Sequence, residues 1–295
     1  MLTIILGIME EGLLYAIMAL GVYITYKILD FPDLSVDGTF PLGSAVTAVF
    51  IIKGVNPILT LFISFFVGAL VGIITGLIHV KLKVRDLLSG IIMMTALYSI
   101  NLRIAGKANL PIFSKDSIFE NAFLDRIVPE KFEPYLVSTI LLIIVIIMKL
   151  LLDTYLKTKS GYLLRAVGDN ETLVTSLAKD KGTVKIVGLA IANAFVALAG
   201  SIYAQKSGFF EISTGTGTIV IGLASVIIGT NIFKRITFVK ATTAVIIGSI
   251  IYKACVAIAI SANMSTSDMK LVTSLLFLVI LIASNERKRR LKSRD

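Results

Sequence analysis

Long apolar runs, nearly free of charge, dominate this chain and exceed what a soluble core accommodates. A membrane-spanning helix needs about 20 mostly apolar residues at a rise of about 1.5 Å each. Marking every such run, with charged or proline-containing gaps as boundaries, predicts nine spans. They lie near residues 11–29, 35–53, 57–80, 87–105, 135–152, 184–205, 217–233, 239–260 and 268–284. Composition agrees: 56% of the 295 residues are hydrophobic and 16% are charged, against about 25% charged in soluble domains. The expected fold is an all-α polytopic bundle, a single transmembrane domain over 1–295. Glu10 and Glu11 interrupt the apolar N-terminus before a signal-peptide core of adequate length forms, so no cleaved leader is expected.

The 29 basic residues outnumber the 19 acidic ones for a net charge of +10. Their distribution explains the excess without nucleic acid, because cytoplasmic loops retain Lys and Arg. Placing the tail 285–295, the segment 81–86, the loop 153–183 with Lys185, the segment 234–240 and Lys27 on one side collects nineteen basic residues, against seven on the other. The N-terminus is therefore expected outside and the C-terminus inside. Two loops are long enough to fold: an external one over 106–134 and a cytoplasmic one over 153–183. The second has an amphipathic pattern in two short pieces, Leu163, Leu164 and Val167, then Leu173, Val174 and Leu177. Asp169 or Asn170 is the expected N-cap of the second piece. Helices of that kind, lying on the cytoplasmic surface, suit docking of a partner protein.

Several chemistries lack their residues. One cysteine, Cys255, and one histidine, His79, leave no disulfide framework, no His-based metal site and no Ser-His-Asp triad. No catalytic or metal-ligating set is expected. The phosphate-cradling pattern G-x-x-x-x-G-K-[ST] does not occur, so ATP hydrolysis would have to come from another chain. The glycines of 213–222 have the wrong spacing for a dinucleotide loop and are expected to break a helix or let helices approach closely.

Polar groups inside spans are costly and mark function by default. The richest cluster is ILDFPDLSVDGTFPLGS over 28–44, with Asp30, Asp33 and Asp37 among Pro32, Gly38, Pro41 and Gly43. It predicts a broken helix lining a cavity, as in many transporters. Asp33 and Asp37 stand four apart, the spacing of one helical face, while Asp30 can pair with Lys27. The competing reading is an ordinary turn with three solvated aspartates. Asn193 and Lys253 are further candidates for the bundle interior, Lys253 either as a packing ion pair or as a pathway residue. Asn101 and Arg103 approach the outer end of the fourth span.

The segments DLSVDG at 33–38 with LGSAVTAV, GYLLRAVGDN at 161–170, and ALAGSIYAQ at 197–205 ahead of STGTGTIVIGLASVIIG together resemble permease subunits of bacterial ATP-binding-cassette importers. The family is the branched-chain amino acid and ribose type, and the chain is most similar to its permeases for aromatic amino acids such as tryptophan and tyrosine. The resemblance implies a type II importer in the bacterial inner membrane. Its parts would be two permease copies, two cytoplasmic ATPase subunits holding ATP and magnesium, and an external solute-binding lipoprotein, with no cofactor on this chain itself. It implies ATPase coupling through Gly161, Tyr162, Leu164, Arg165, Ala166, Val167, Gly168, Asp169, Asn170 and Glu171. It likewise implies a translocation pathway near Asp33, Ser35, Asp37, Gly38 and Thr39. Sugar permeases usually read DLSVG, and the added Asp37 sets this chain apart from that branch. The alternative function is an ion-gradient-driven carrier with Asp33, Asp37 and Lys253 as relay; a membrane scaffold is a third.

Overall fold

The computed structural model describes residues 2–121, 126, 129, 132–170, 180–234, 236, 238–261, 271, 273–275 and 277–282. The chain runs α1 (Leu2–Val22), a π-helical segment (Tyr23–Ile28), α2 (Val36–Ile52), α3 (Pro57–Val80), α4 (Asp86–Ala105), β1 (Asn109–Pro111) and α5 (Glu133–Tyr155). Then follow α6 (Lys159–Asp169), α7 (Lys181–Ser207), β2 (Phe209–Glu211), a 3₁₀ turn (Ile212–Gly215), α8 (Thr218–Ile232) and α9 (Ala241–Ser261). Among the described residues, seven helices are long and apolar enough to cross a membrane. Two shorter apolar helices, Val36–Ile52 and Thr273–Ile282, lie where further spans are expected.

The first span differs from expectation. It begins at Thr3 rather than near residue 11 and runs through Glu10 and Glu11. The helix tolerates these carboxylates because Lys206 of α7 reaches both, at 3.2 Å and 2.9 Å, and Lys253 of α9 reaches Glu11 at 3.3 Å. Paired charges cost far less in an apolar setting than isolated ones.

α7 is the axis of the bundle. Its residues from Leu189 to Ile202 are almost all buried, packed by α1, α2 and α3. α3 presents Thr60, Ser64, Gly68, Gly72 and Gly76, a small residue every fourth position, all buried. A Cβ at Gly72 would collide with the carbonyl of Leu189, and one at Gly68 with the carbonyl of Asn193. Small residues at this spacing let helix backbones touch, which drives packing where lipid removes the hydrophobic driving force. Gly76 faces Ile186 and Gly68 faces Asn193, so α3 and α7 run antiparallel. α2 crosses α7 in the same way, Gly43 against Ala197 and Gly200 against Phe40.

The opposite faces of α3, α4 and α5 expose Phe62, Phe66, Leu70, Ile92, Ile143, Ile147 and Leu151, an apolar surface suited to acyl chains. At one end of the bundle, β1 pairs antiparallel with β2, Leu110 opposite Phe210, so part of the 106–134 loop folds back onto the chain following α7. This ribbon is the one departure from an all-helical fold among the described residues. Gln205 ties the same loop down, its Oε1 accepting from the Ile118 N–H at 2.9 Å.

Candidate functional site

Two interrupted helices meet at the centre. The first interruption separates the π-helical segment from α2. After Ile28 the chain passes through Asp30, whose φ of 51° lies in the left-handed region that disfavours most side chains, and resumes as helix at Val36. The second precedes α8, where Gly217, at φ 86°, turns the chain into the helix. The glycine-rich stretch thus breaks a helix and allows close approach: a Cβ at Gly215 would run into the Asp37 carbonyl.

Asp33 sits in the first interruption and is fully buried, which excludes a solvated turn at that residue. Its Oδ1 accepts from the Ser35 N–H at 2.9 Å and its Oδ2 from Asn193 Nδ2 at 2.8 Å. Asn193 Oδ1 receives the hydroxyls of Ser35, at 3.1 Å, and Thr39, at 2.7 Å, while Nδ2 also reaches the Leu189 carbonyl at 3.2 Å. Both amide donors and both acceptor positions of Asn193 are therefore used. The carboxylate and the carbonyl can only accept, so the amide orientation is forced. One side chain on α7 thereby fastens the interruption before α2.

Asp37 lies in the first turn of α2 and does not share a face with Asp33, because Asp33 precedes the helix. It caps α8 from outside: Oδ2 accepts from the Gly217 N–H at 2.9 Å, and Oδ1 from Thr218 Oγ1 at 2.9 Å and the Ile219 N–H at 2.8 Å. A carboxylate at a helix N-terminus satisfies orphan N–H groups and the positive end of the helix dipole. Asp37→Ala is expected to lower stability by about 1–2 kcal/mol through loss of this cap, with Asp37→Asn intermediate; thermal unfolding in detergent measures both. Beside it, Asp37, Gly38, Pro41, Tyr98, Asn101 and Thr216 line a cavity of about 360 Å³. Asn101 Nδ2 donates to the Gly38 carbonyl at 3.0 Å, pinning α4 to the start of α2.

Of the residues singled out from sequence, the structure brings Asp33, Ser35, Thr39 and Asn193 together, with Asp37 and Gly38 one helical turn on. Lys253 is elsewhere, joined to Glu11 and placed over the Tyr15 ring at 3.7 Å, a packing cluster of α1, α7 and α9. Sequence reasoning picked out Asn193 but missed the polar row on α7 to which it belongs. Asn193, Ser201 and Gln205 recur at multiples of four and each bonds a neighbouring element: Ser201 meets Thr47, which meets Ser64 at 3.0 Å, and Gln205 reaches Thr60 at 3.2 Å. The spacing N-x₃-A-x₃-S-x₃-Q is the signal that would have found them.

At the other end of the bundle, α6 (Lys159–Asp169) carries the residues of the 153–183 loop. Thr158 caps it, accepting from the Gly161 N–H at 3.2 Å. Gly161, Leu164 and Val167 form its buried face, with Ala166 and Gly168 half-buried; Tyr162, Arg165, Asp169 and Asn170 are exposed. Glu171 and the expected second short helix lie outside the described residues. The inner face fits without slack, since a Cβ at Gly168 would overlap the carbonyl oxygen of Ile28, the last residue of the π-helical segment.

Residues 4–284 match the family described as the branched-chain amino acid transport system permease component. The chain belongs to this family. A tyrosine transport system permease protein of Clostridioides difficile (strain R20291) is 44% identical over 281 residues, covering 95% of this chain and 91% of the relative. An uncharacterized protein of Rickettsia prowazekii (strain Madrid E) is 30% identical over 285 residues, covering 95% of this chain and 97% of the relative. No solved structure matches. With its apolar helices, the permease is a multi-pass protein of the bacterial inner membrane.

Proposed function

We propose that this permease is the membrane subunit of an ATP-binding-cassette importer for an aromatic amino acid of the tyrosine type, with its N-terminus outside and C-terminus inside. An external binding protein delivers the solute. Separate ATPase subunits, which hold ATP and magnesium, drive transport by docking on α6. A second copy of the chain completes the pathway, which runs past Asp33, Ser35, Asp37, Gly38, Thr39 and Asn193, with the cavity beside Asp37 as the solute's way station. Lys253 acts in packing on this reading.

The observation that carries the proposal is the construction of α6. Its outer face, Tyr162, Arg165 and Asp169, is open to a partner, while Gly168 locks its inner face onto Ile28. Five residues beyond Ile28 comes Asp33, held by Asn193. A push on α6 therefore reaches the two interrupted helices through a short, packed chain of contacts, and π-helical segments often mark such functional points. Rocking of helices about interrupted segments gives alternating access. The similarity to a tyrosine permease supports the solute class.

The test is reconstitution of the permease with its candidate ATPase and binding protein in liposomes. Uptake of labelled tyrosine should require ATP inside, require the binding protein outside, and survive collapse of ion gradients. Uptake that follows a proton or sodium gradient without ATP would remove the proposal.

A further inference from the structure

Where α3 ends, α4 begins and α7 begins, the bundle holds a second cavity, of about 480 Å³. Among the described residues its lining brings together His79, Lys83, Arg85, Lys181 and Lys185 with one carboxylate, Asp180. That carboxylate serves the start of α7: it accepts from the Thr183 hydroxyl at 2.6 Å, the Gly182 N–H at 2.9 Å and the Thr183 N–H at 3.2 Å. These bonds, the Thr183 hydroxyl foremost, hold its carboxyl below the usual carboxylate range, and it stays ionised as a cap. Among the described residues Lys83 and Arg85 alone outnumber that carboxylate, so the lining is cationic.

The site is built rather than incidental. The α3–α4 loop is closed by backbone bonds from Lys81 and Leu82 to the Leu77 carbonyl and from Val84 to the Ile78 carbonyl. His79 Nδ1 lies 2.9 Å from the Val84 carbonyl, and the His79 ring stands edge-on to Phe31 at 5.1 Å. Lys83 takes a left-handed φ of 55° to complete the turn. Gly182 lets the start of α7 close on Val80.

Three membrane-crossing helices end here, so the cavity opens at the edge of the bilayer. The surface beside it is apolar. Leu77, Leu87 and Leu88 are exposed, and Leu82, between Lys81 and Lys83, is 71% exposed. Together these four leucines give the cavity an apolar flank suited to acyl chains.

We infer that this cavity binds the phosphate headgroup of an anionic phospholipid, with Leu77, Leu82 and Leu87 against its acyl chains. Basic pockets between span ends are suited to such headgroups, and Arg85 adds a fork matched to phosphate oxygens. The apolar flank selects a lipid over a soluble phosphate, which would leave those leucines uncovered.

The test is native mass spectrometry of the full-length permease in detergent, titrated in turn with phosphatidylglycerol, phosphatidylcholine and inorganic phosphate. Phosphatidylglycerol should be retained at least about tenfold better than phosphatidylcholine. The double variant K83Q/R85Q should weaken phosphatidylglycerol binding by roughly thirtyfold, leaving phosphatidylcholine adducts and elution volume unchanged. If the double variant is not monodisperse, Lys83→Gln alone should give roughly fivefold. Equal retention of the two lipids, undiminished phosphatidylglycerol binding in folded variants, or displacement by equimolar inorganic phosphate would each overturn the assignment; the last would make a soluble phosphate the occupant.

Discussion

Asn193→Asp is expected to be among the most damaging single-atom changes in this protein, and Asp33→Asn combined with it is expected to restore most of the loss. In the parent, Asn193 Nδ2 donates to the buried Asp33 carboxylate at 2.8 Å. An aspartate at 193 replaces that donor with an acceptor and sets two carboxylates together where water cannot screen them. Leaving a buried charge without its partner costs about 3–5 kcal/mol, a large share of the 5–15 kcal/mol that holds a typical fold. The swapped pair re-creates the contact with the roles reversed: the amide introduced at position 33 donates, the carboxylate introduced at position 193 accepts, and Ser35 and Thr39 still find an acceptor there, with only the 3.2 Å bond to the Leu189 carbonyl lost. Thermal unfolding in detergent, with tyrosine uptake beside it, measures both variants. A mild Asn193→Asp, or a double variant no better than the single one, would show that the Asp33–Asn193 contact does not hold the interruption.

The second large effect is expected at Gly168. A Cβ there overlaps the Ile28 carbonyl oxygen, a backbone atom with no rotamer in which to retreat. Gly168→Val should therefore lift α6 away from the π-helical segment. Overpacking of this kind costs about 1–3 kcal/mol, and the strain falls on the link between the proposed docking face and Asp33. In the reconstituted importer, ATP hydrolysis should continue while tyrosine uptake falls by about tenfold or more. Arg165→Ala, on the exposed face, should instead weaken capture of the ATPase while leaving the unfolding temperature within about 1 °C, since exposed substitutions cost within about 0.5 kcal/mol. Normal coupled uptake in Gly168→Val would remove α6 from the mechanism.

Much of this architecture was legible in the order of the residues. Apolar runs of about 20 residues have little choice in lipid but to become helices, because every backbone polar group must be satisfied within the segment. The helices at 57–80, 86–105, 133–155, 181–207 and 241–261 accordingly lie where the runs do. The crowding of proline, glycine and aspartate at 28–44 pointed to an interrupted helix for a local reason, since such residues cannot propagate one. The start of the first span was misplaced because Glu10 and Glu11 read as a boundary; the partners of Glu11, Lys206 and Lys253, are 195 and 242 residues away in sequence.

Most of the helices long and apolar enough to cross a membrane, and the helix break at 28–44, follow from hydropathy and backbone chemistry within a few turns, so the chain's own order of residues was enough to specify these. The tasks of the polar residues were settled by packing alone. Asp33 and Asp37, four apart and alike on paper, take unrelated roles: one is held by Asn193, 160 residues on, and the other caps a helix that starts 181 residues on. Lys253 turns to Glu11 for the same reason. A buried polar group goes where its hydrogen bonds are met, and those partners are set by helix packing rather than by neighbours in the chain.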